Sequence, residues 1–130
     1  VEVDLTKQHL WMYKEGKLIV ESDFVSGTMT PARVTPPGIF RLYYKKSPAV
    51  LRSTKPRDSY ETPVSFWMPF NGGIGFHDAT WRGSFGGQIF WNSGSHGCIN
   101  LPYSAAQTIY QNIEKDYLVI CFYRNGEYKY

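Results

Sequence analysis

No stretch of this sequence is apolar for long enough to cross a membrane, and none has the layout of a secretion signal. The cellular address must therefore be read from the chemistry. The opening Val1-Glu2-Val3-Asp4-Leu5 reads as a strand, as in a domain that belongs to a longer protein. Basic clusters are missing too. The 14 Lys and Arg are scattered and the net charge is only +3, which argues against a nucleic-acid partner. A mild positive balance suits an anionic envelope. The chain shows no repeat, low-complexity tract or linker, so residues 1–130 are expected to form a single domain with one sizeable core.

Cysteine is scarce. Cys121 lies in the apolar run Tyr117-Leu118-Val119-Ile120-Cys121-Phe122-Tyr123, where it reads as a small buried hydrophobe. Cys98 lies in the Gly-rich loop Ser93-Gly94-Ser95-His96-Gly97-Cys98. The pair is compatible with one disulfide, but surroundings this different favour one structural and one reactive thiol. Aromatic residues, in contrast, are abundant: 4 Trp, 10 Tyr and 8 Phe. Most should fill a β-rich core, and some suit a binding groove.

Short strands separated by turn signals dominate the chain. Val1 to Leu5, His9 to Tyr13 and Lys17 to Val20 read as strands, with turns at Thr6-Lys7-Gln8 and Glu15-Gly16. Thr35-Pro36-Pro37-Gly38 must be a loop, and Ile39 to Tyr44 another strand. Lys45 to Pro63 is polar and broken by three prolines, so it reads as a long excursion of the lid type. Val64 to Phe70 and Gly73 to His77 flank Asn71-Gly72, a hairpin signal. The one convincing helix runs from about Tyr103 to Glu114, with Ala106, Ile109, Tyr110 and Ile113 at helical spacing and Pro102 at its start. Tyr117 to Tyr123 is a buried strand, which Glu127 to Tyr130 is expected to join across Asn125-Gly126. The expected class is mainly β and sandwich-like, with one principal α-helix.

The chemistry concentrates in Gly75-Phe76-His77-Asp78 and in Ser95-His96-Gly97-Cys98-Ile99-Asn100-Leu101-Pro102. A thiol becomes a good nucleophile as a thiolate, and a nearby imidazole or helix start lowers its pKa. His77 and His96 are both candidate bases, and the helix expected from Tyr103 starts just after Cys98. Gly94 and Gly97 allow backbone turns closed to other residues, and the N–H groups of Gly97 and Cys98 are candidates for an oxyanion hole. A plain Gly/Ser turn between strand and helix is the competing view of this loop.

A histidine, a spacer and then Ser-His-Gly-Cys-apolar-Asn resembles the signature of the L,D-transpeptidases, the YkuD-type catalytic domains. Here the pattern is filled by His77 and by Ser95 to Asn100. The opening Val3-Asp4-Leu5-Thr6-Lys7-Gln8, and Gly27-Thr28 followed by Thr35-Pro36-Pro37-Gly38, look similar to that family as well, so the likeness covers nearly the whole chain. The resemblance implies the family's β-sandwich-like fold, with a lid loop over the active site and the helix after the catalytic loop. It makes Cys98 the nucleophile and His77 its base, with the ring of His77 oriented by the backbone carbonyl of Asp78. The Asp78 carboxylate is the alternative orienter. It gives His96 a supporting role, and Ser95, Gly97 and Asn100 loop-holding roles.

The implied reaction is acyl transfer on peptidoglycan. Cys98 attacks the third-residue carbonyl of a tetrapeptide stem, D-Ala leaves, and an acceptor amine on a second stem resolves the thioester into a third-to-third cross-link. Water as acceptor gives carboxypeptidase activity. The implied partners are stem peptides, with carbapenem β-lactams as covalent inhibitors. No metal or organic cofactor is expected, nor any nucleic acid. The membrane is expected to be met only through segments outside this chain, and the protein to be an extracytoplasmic monomer at the cell wall. Tyr60, Trp67 and Trp81 are candidate groove residues, with Arg82 and Lys55 candidates to meet stem carboxylates. His9 is expected to be structural.

Three other readings compete. His77, Asp78, His96 and Cys98 are all possible zinc ligands, though no familiar zinc spacing appears. A non-catalytic wall-binding module would use the aromatics for sugar stacking. A papain-like peptidase would place its cysteine before its histidine, the reverse of the order here.

Overall fold

A computed structural model describes residues 1–53, 60–128 and 130. In chain order the strands are β1 (Glu2–Asp4), β2 (His9–Lys14), β3 (Lys17–Asp23), β4 (Gly38–Arg41), β5 (Ala49–Ser53), β6 (Tyr60–Val64), β7 (Trp67–Asn71), β8 (Ile74–Asp78), β9 (Ile99–Leu101) and β10 (Leu118–Phe122). The helices are α1 (Ile89–Ser93), between β8 and β9, and α2 (Tyr103–Asn112), between β9 and β10.

The alternation of apolar and polar residues explains the first sheet. Leu10 and Met12 of β2 are buried, whereas Trp11 between them and Tyr13 after them are more exposed. Glu15 and Gly16 both adopt positive φ, 52° and 77°, which is the turn geometry that matches the twist of a tight hairpin. The sheet runs β3-β2-β1-β10-β4. Its centre is the parallel pair β1–β10, where Val3 lies beside Cys121. Cys121 is a free thiol that is 3% exposed, and burial pushes its pKa up to about 12. This is the structural cysteine that the sequence suggests.

The second sheet is β7-β8-β9, with His77 on β8 and Asn100 on β9. β7 and β8 form a hairpin, and β9 pairs in parallel with β8. Between the two sheets lies one core. Val3, Leu10 and Met12 from the first sheet meet Met68, Phe70, Phe76, Ile99 and Leu101 from the second, α2 adds Ala105, Ala106 and Ile109, and Ile113 follows just after it. α2 is helical for the reason the spacing gives: its apolar residues recur every three or four positions and pack toward β8 and β3. Burying Phe76 completely contributes roughly 2–3 kcal/mol. That burial holds β8, and with it His77, against the first sheet.

Several local expectations are corrected. The excursion from Lys45 to Pro63 is largely a hairpin, β5 with β6, in register from Ala49↔Val64 to Ser53↔Tyr60. Its prolines are compatible with this because Pro63 sits in a two-stranded sheet, where each strand has an unpaired edge. Residues 54–59 of the expected lid, Lys55 among them, lie outside the described residues. The run Val64 to Phe70 is interrupted at Ser65-Phe66, whose N–H groups turn to the Asp78 carboxylate instead of a strand. α2 ends at Asn112, two residues early, because Ile113 adopts extended backbone. Glu127 to Tyr130 forms no strand among the described residues; Tyr128 stacks on Tyr123 at 5.1 Å.

Candidate active site

The register of the second sheet assembles the site. His77 on β8 lies opposite Asn100 on β9, and Phe76 opposite Ile99. Cys98 immediately precedes β9 and so falls beside Gly75, one alternation away from His77 on the same face. Cys98, His77 and Asn100 line one cavity of about 550 Å³. Val25 bridges to Asn100 from the other side and ties β9 to the segment that leaves β3.

The His77 ring is held in one orientation. Its Nδ1–H donates to the backbone carbonyl of Asp78 at 2.8 Å, which leaves Nε2 as the acceptor nitrogen. In the amide orientation that satisfies every donor and acceptor, Asn100 donates to Nε2 at 3.1 Å. The Asn100 oxygen then accepts from Arg82 Nε at 2.9 Å, and Arg82 also donates to the Ser93 carbonyl at 2.9 Å. The rings of Trp67 and Trp81 lie 6.1 and 5.9 Å from the imidazole. Burial holds the His77 pKa below its ordinary 6.5, and the nearby Arg82 charge pushes the same way against the opposing influence of Asp78. His77 is therefore neutral at physiological pH, as a base must be.

The thiol differs from expectation. Cys98 packs against the buried cluster of Ala49, Val64 and Trp67, and burial pushes its pKa up to about 11, opposed by a backbone hydrogen bond at Gly75. Its Sγ donates to the Gly73 carbonyl at 3.4 Å. The start of α2 does not reach it, because β9 stands between them and three strand residues span about 10 Å. The resting residue is a neutral thiol.

The loop around Cys98 is clamped from three sides. Ser95 pairs with Ser26 and Thr28 through its backbone, at 2.9 and 3.0 Å. Ser95 Oγ donates to Cys98 O at 2.6 Å and accepts from Gly97 N–H at 3.1 Å. Thr35 Oγ1 donates to Gly97 O at 2.6 Å. Gly97 has φ of 136°, a conformation that other residues rarely adopt. Gly94 does not: its φ of −76° is ordinary, and glycine is needed there because a Cβ would come within 2.5 Å of Thr28 N. Because Gly97 N–H is already bonded to Ser95, the expected oxyanion pair loses one member. The loop's own hydrogen bonds leave the Cys98 N–H unclaimed.

The remaining candidates divide by position. His96 is exposed, lines the larger cavity and meets Tyr60 edge-on at 5.1 Å. Tyr60, Trp81 and Arg82 line that cavity too, with Leu51 and Thr62 from the β5–β6 hairpin. Trp67 is buried and faces a smaller cavity of about 280 Å³, which also reaches Cys98. The Asp78 carboxylate is not at the site: both its oxygens accept backbone N–H groups from Ser65 and Phe66. Among the described residues no group of three His, Cys, Asp or Glu is placed to hold a metal, so the zinc reading has no ligand set there. Sequence reasoning missed the Gly73 carbonyl and the hydroxyl of Thr35. Thr35 was signalled by its place before two prolines, which reads as a loop, and by the family-like Thr35-Pro36-Pro37-Gly38, neither of which gives its hydroxyl a role.

Comparison with known proteins identifies the family. The family model for YkuD, the L,D-transpeptidase catalytic domain, matches residues 1–121. A crystal structure of a mutant Enterococcus faecium L,D-transpeptidase superposes with a TM-score of 0.86 at 42% identity, covering 93% of this chain and 48% of that one. The catalytic domain of the E. faecium enzyme, in an NMR structure acylated by ertapenem, gives 0.82 at 42% identity and covers 93% of this chain and 94% of that one. An L,D-transpeptidase from Stackebrandtia nassauensis gives 0.74 at 31% identity over 96% of this chain and 56% of that one. No curated protein matches. The chain thus spans about half the length of the longer relatives.

Proposed function

The chain belongs to the YkuD family of L,D-transpeptidase catalytic domains, and from that premise we propose that it cross-links peptidoglycan stems by acyl transfer through Cys98. The observation that carries the proposal is the orientation of His77. Its Nδ1–H is fixed on Asp78 O, so its basic Nε2 faces the cavity that Cys98 also lines.

The resting groups are both neutral, so proton transfer accompanies attack. Substrate entry draws the thiol from Gly73 O and displaces the Asn100 amide from Nε2. Sγ bonds to the third-residue carbonyl carbon of a tetrapeptide stem while Nε2 takes the thiol proton. The oxyanion of the tetrahedral intermediate is met by the Cys98 N–H. The C–N bond to the terminal D-Ala breaks, its nitrogen receives the proton from His77, and D-Ala departs. An acceptor amine then adds to the thioester carbonyl, gives its proton to Nε2, and expels the thiolate, which recovers that proton. The product is a third-to-third cross-link; with water as acceptor it is a hydrolysed stem.

Arg82 is tied to Asn100 and Ser93, so its part is to hold the Asn100 amide against the base as well as to present charge to a stem carboxylate. Tyr60, Trp81 and His96 form the cavity wall, and Trp67 backs the thiol. The chain acts as one domain, 1–130, outside the cytoplasm where its substrate lies. Carbapenems acylate Cys98, as ertapenem acylates the E. faecium catalytic domain.

The test is turnover of a purified disaccharide-tetrapeptide, followed by mass spectrometry. Release of D-Ala with formation of third-to-third dimers or tripeptides supports the proposal, and Cys98→Ala is expected to abolish both. Binding of wall fragments without turnover by the wild type would instead favour the wall-binding module.

A further inference from the structure

We infer that Thr35 is a positioning residue of this site, whose buried hydroxyl aims and strengthens the Cys98 N–H as an oxyanion donor. The inference rests on the acyl-transfer reading above.

Thr35 is fully buried. Its Oγ1 accepts from Gly27 N–H at 2.9 Å, so its single proton is committed to Gly97 O, at 2.6 Å. The hydroxyl is itself anchored. Gly27 is packed so tightly that a Cβ there would lie 1.8 Å from Arg33 O, and the Thr35 carbonyl accepts from Tyr123 OH at 2.6 Å. Pro36 and Pro37 follow, with fixed φ and no N–H to offer another partner.

Gly97 C=O and Cys98 N–H belong to one peptide unit. That unit is planar and trans, so its C=O and N–H point in opposite directions. Anchoring the oxygen toward buried Thr35 and Gly27 therefore turns the N–H away from them. Gly97 has no side chain to resist rotation of this peptide, and its φ of 136° lies in a region that other residues rarely adopt. Ser95 holds the neighbouring groups, Gly97 N–H and Cys98 O, and leaves Gly97 O to Thr35. Donation to a carbonyl also polarises its amide, which makes the N–H on the same unit a better donor. Both effects act on the developing oxyanion and neither acts on the thiol.

This separation supplies the test. Acylation by ertapenem passes through an oxyanion; alkylation by iodoacetamide does not, yet both consume the Cys98 thiol. The rates of each are followed by mass spectrometry of the Cys98 peptide in the wild type, Thr35→Val, Thr35→Ser and Tyr123→Phe, below the unfolding range of each protein. Thr35→Val is expected to lose about tenfold or more in acylation, part of the effect of deleting an oxyanion donor. Its alkylation should stay within about twofold, since no oxyanion forms. Thr35→Ser should restore acylation. Tyr123→Phe loosens the same segment but keeps the hydroxyl, so its ratio of acylation to alkylation should match the wild type. If Thr35→Val does not fold, a peptide that depends on this hydroxyl still predicts a Cys98 N–H resonance in Thr35→Ser at its wild-type position and a shifted one in Thr35→Ala. Parallel loss of both reactions, an unchanged ratio in Thr35→Val, or an unshifted resonance in Thr35→Ala overturns the inference. Failure of the wild type to react with ertapenem while iodoacetamide still labels Cys98 overturns the acyl-transfer reading beneath it.

Discussion

Replacing Asp78 with asparagine should damage the fold far more than the chemistry. The side chain is 3% exposed, and its Oδ1 accepts from Ser65 N–H at 3.0 Å and Phe66 N–H at 2.9 Å, with Oδ2 sharing Ser65 N–H at 3.1 Å. These bonds hold the break between β6 and β7. Asparagine keeps one acceptor oxygen but turns an NH₂ toward a donor and removes the charge. Hydrogen bonds to charged groups contribute roughly 1.5–3 kcal/mol each, about 3–6 kcal/mol for the two donors, and a neutral replacement recovers about 1 kcal/mol of this, so the net loss is about 2–5 kcal/mol. For a domain of this size that lowers Tm by roughly 6–15 °C. Calorimetry measures the shift, and ertapenem acylation well below each Tm measures the chemistry. The rate should remain within about threefold of wild type, because the backbone carbonyl that orients His77 is kept. An unchanged Tm with acylation down by about a hundredfold or more would refute this reasoning and return the carboxylate to the catalytic role.

Other outcomes follow from the same geometry. Burial holds the His77 pKa below 6.5, so acylation should be flat from that pH until the Cys98 thiol begins to ionise toward about 11, and fall on the acid side only as pH drops through the lower folded value; an acid midpoint above pH 6.5 contradicts a buried neutral base. His9 is partly buried, which lowers its pKa, but hydrogen bonds to Asp23 at 2.7 Å and Glu21 at 3.0 Å prevail and raise it above 6.5. Its contribution to stability is thus fully present below 6.5 and lost as pH rises through the raised value. Urea midpoints on either side of that window should differ in the wild type, and the difference should shrink in His9→Gln. Gly94→Ala places a Cβ against backbone at 2.5 Å with nothing flexible to yield, so a loss of about 2 kcal/mol or more is expected by thermal unfolding. A Tm within error of wild type would show that the loop has room.

The elements built on strong periodicity were legible from residues alone. Leu10 and Met12, and Ala106, Ile109 and Ile113, declare their faces because burial repeats with the period of the backbone. β9 was not legible, since three residues carry no periodicity, and α1 is only five residues long. The β5–β6 hairpin was hidden by its prolines. At the site, the thiol stood out by residue type and its Gly-rich loop, whereas residue type left His77 and His96 both open as its base and only the resemblance chose His77. The neutral state of Cys98 was not legible, because burial against Trp67, Ala49 and Val64 comes from strands distant in sequence. Thr35 was equally hidden: its hydroxyl reaches Gly97 across 62 residues, a contact that only the folded chain creates.

The central claim is that one thiol, Cys98, carries the acyl group. Intact-protein mass spectrometry after exposure to ertapenem, with the adduct located by proteolysis, tests it most directly. The account predicts a single adduct on the peptide that holds Cys98, absent from Cys98→Ala and slowed in His77→Gln. A wild-type protein that stays unmodified, or an adduct that persists in Cys98→Ala, would contradict it.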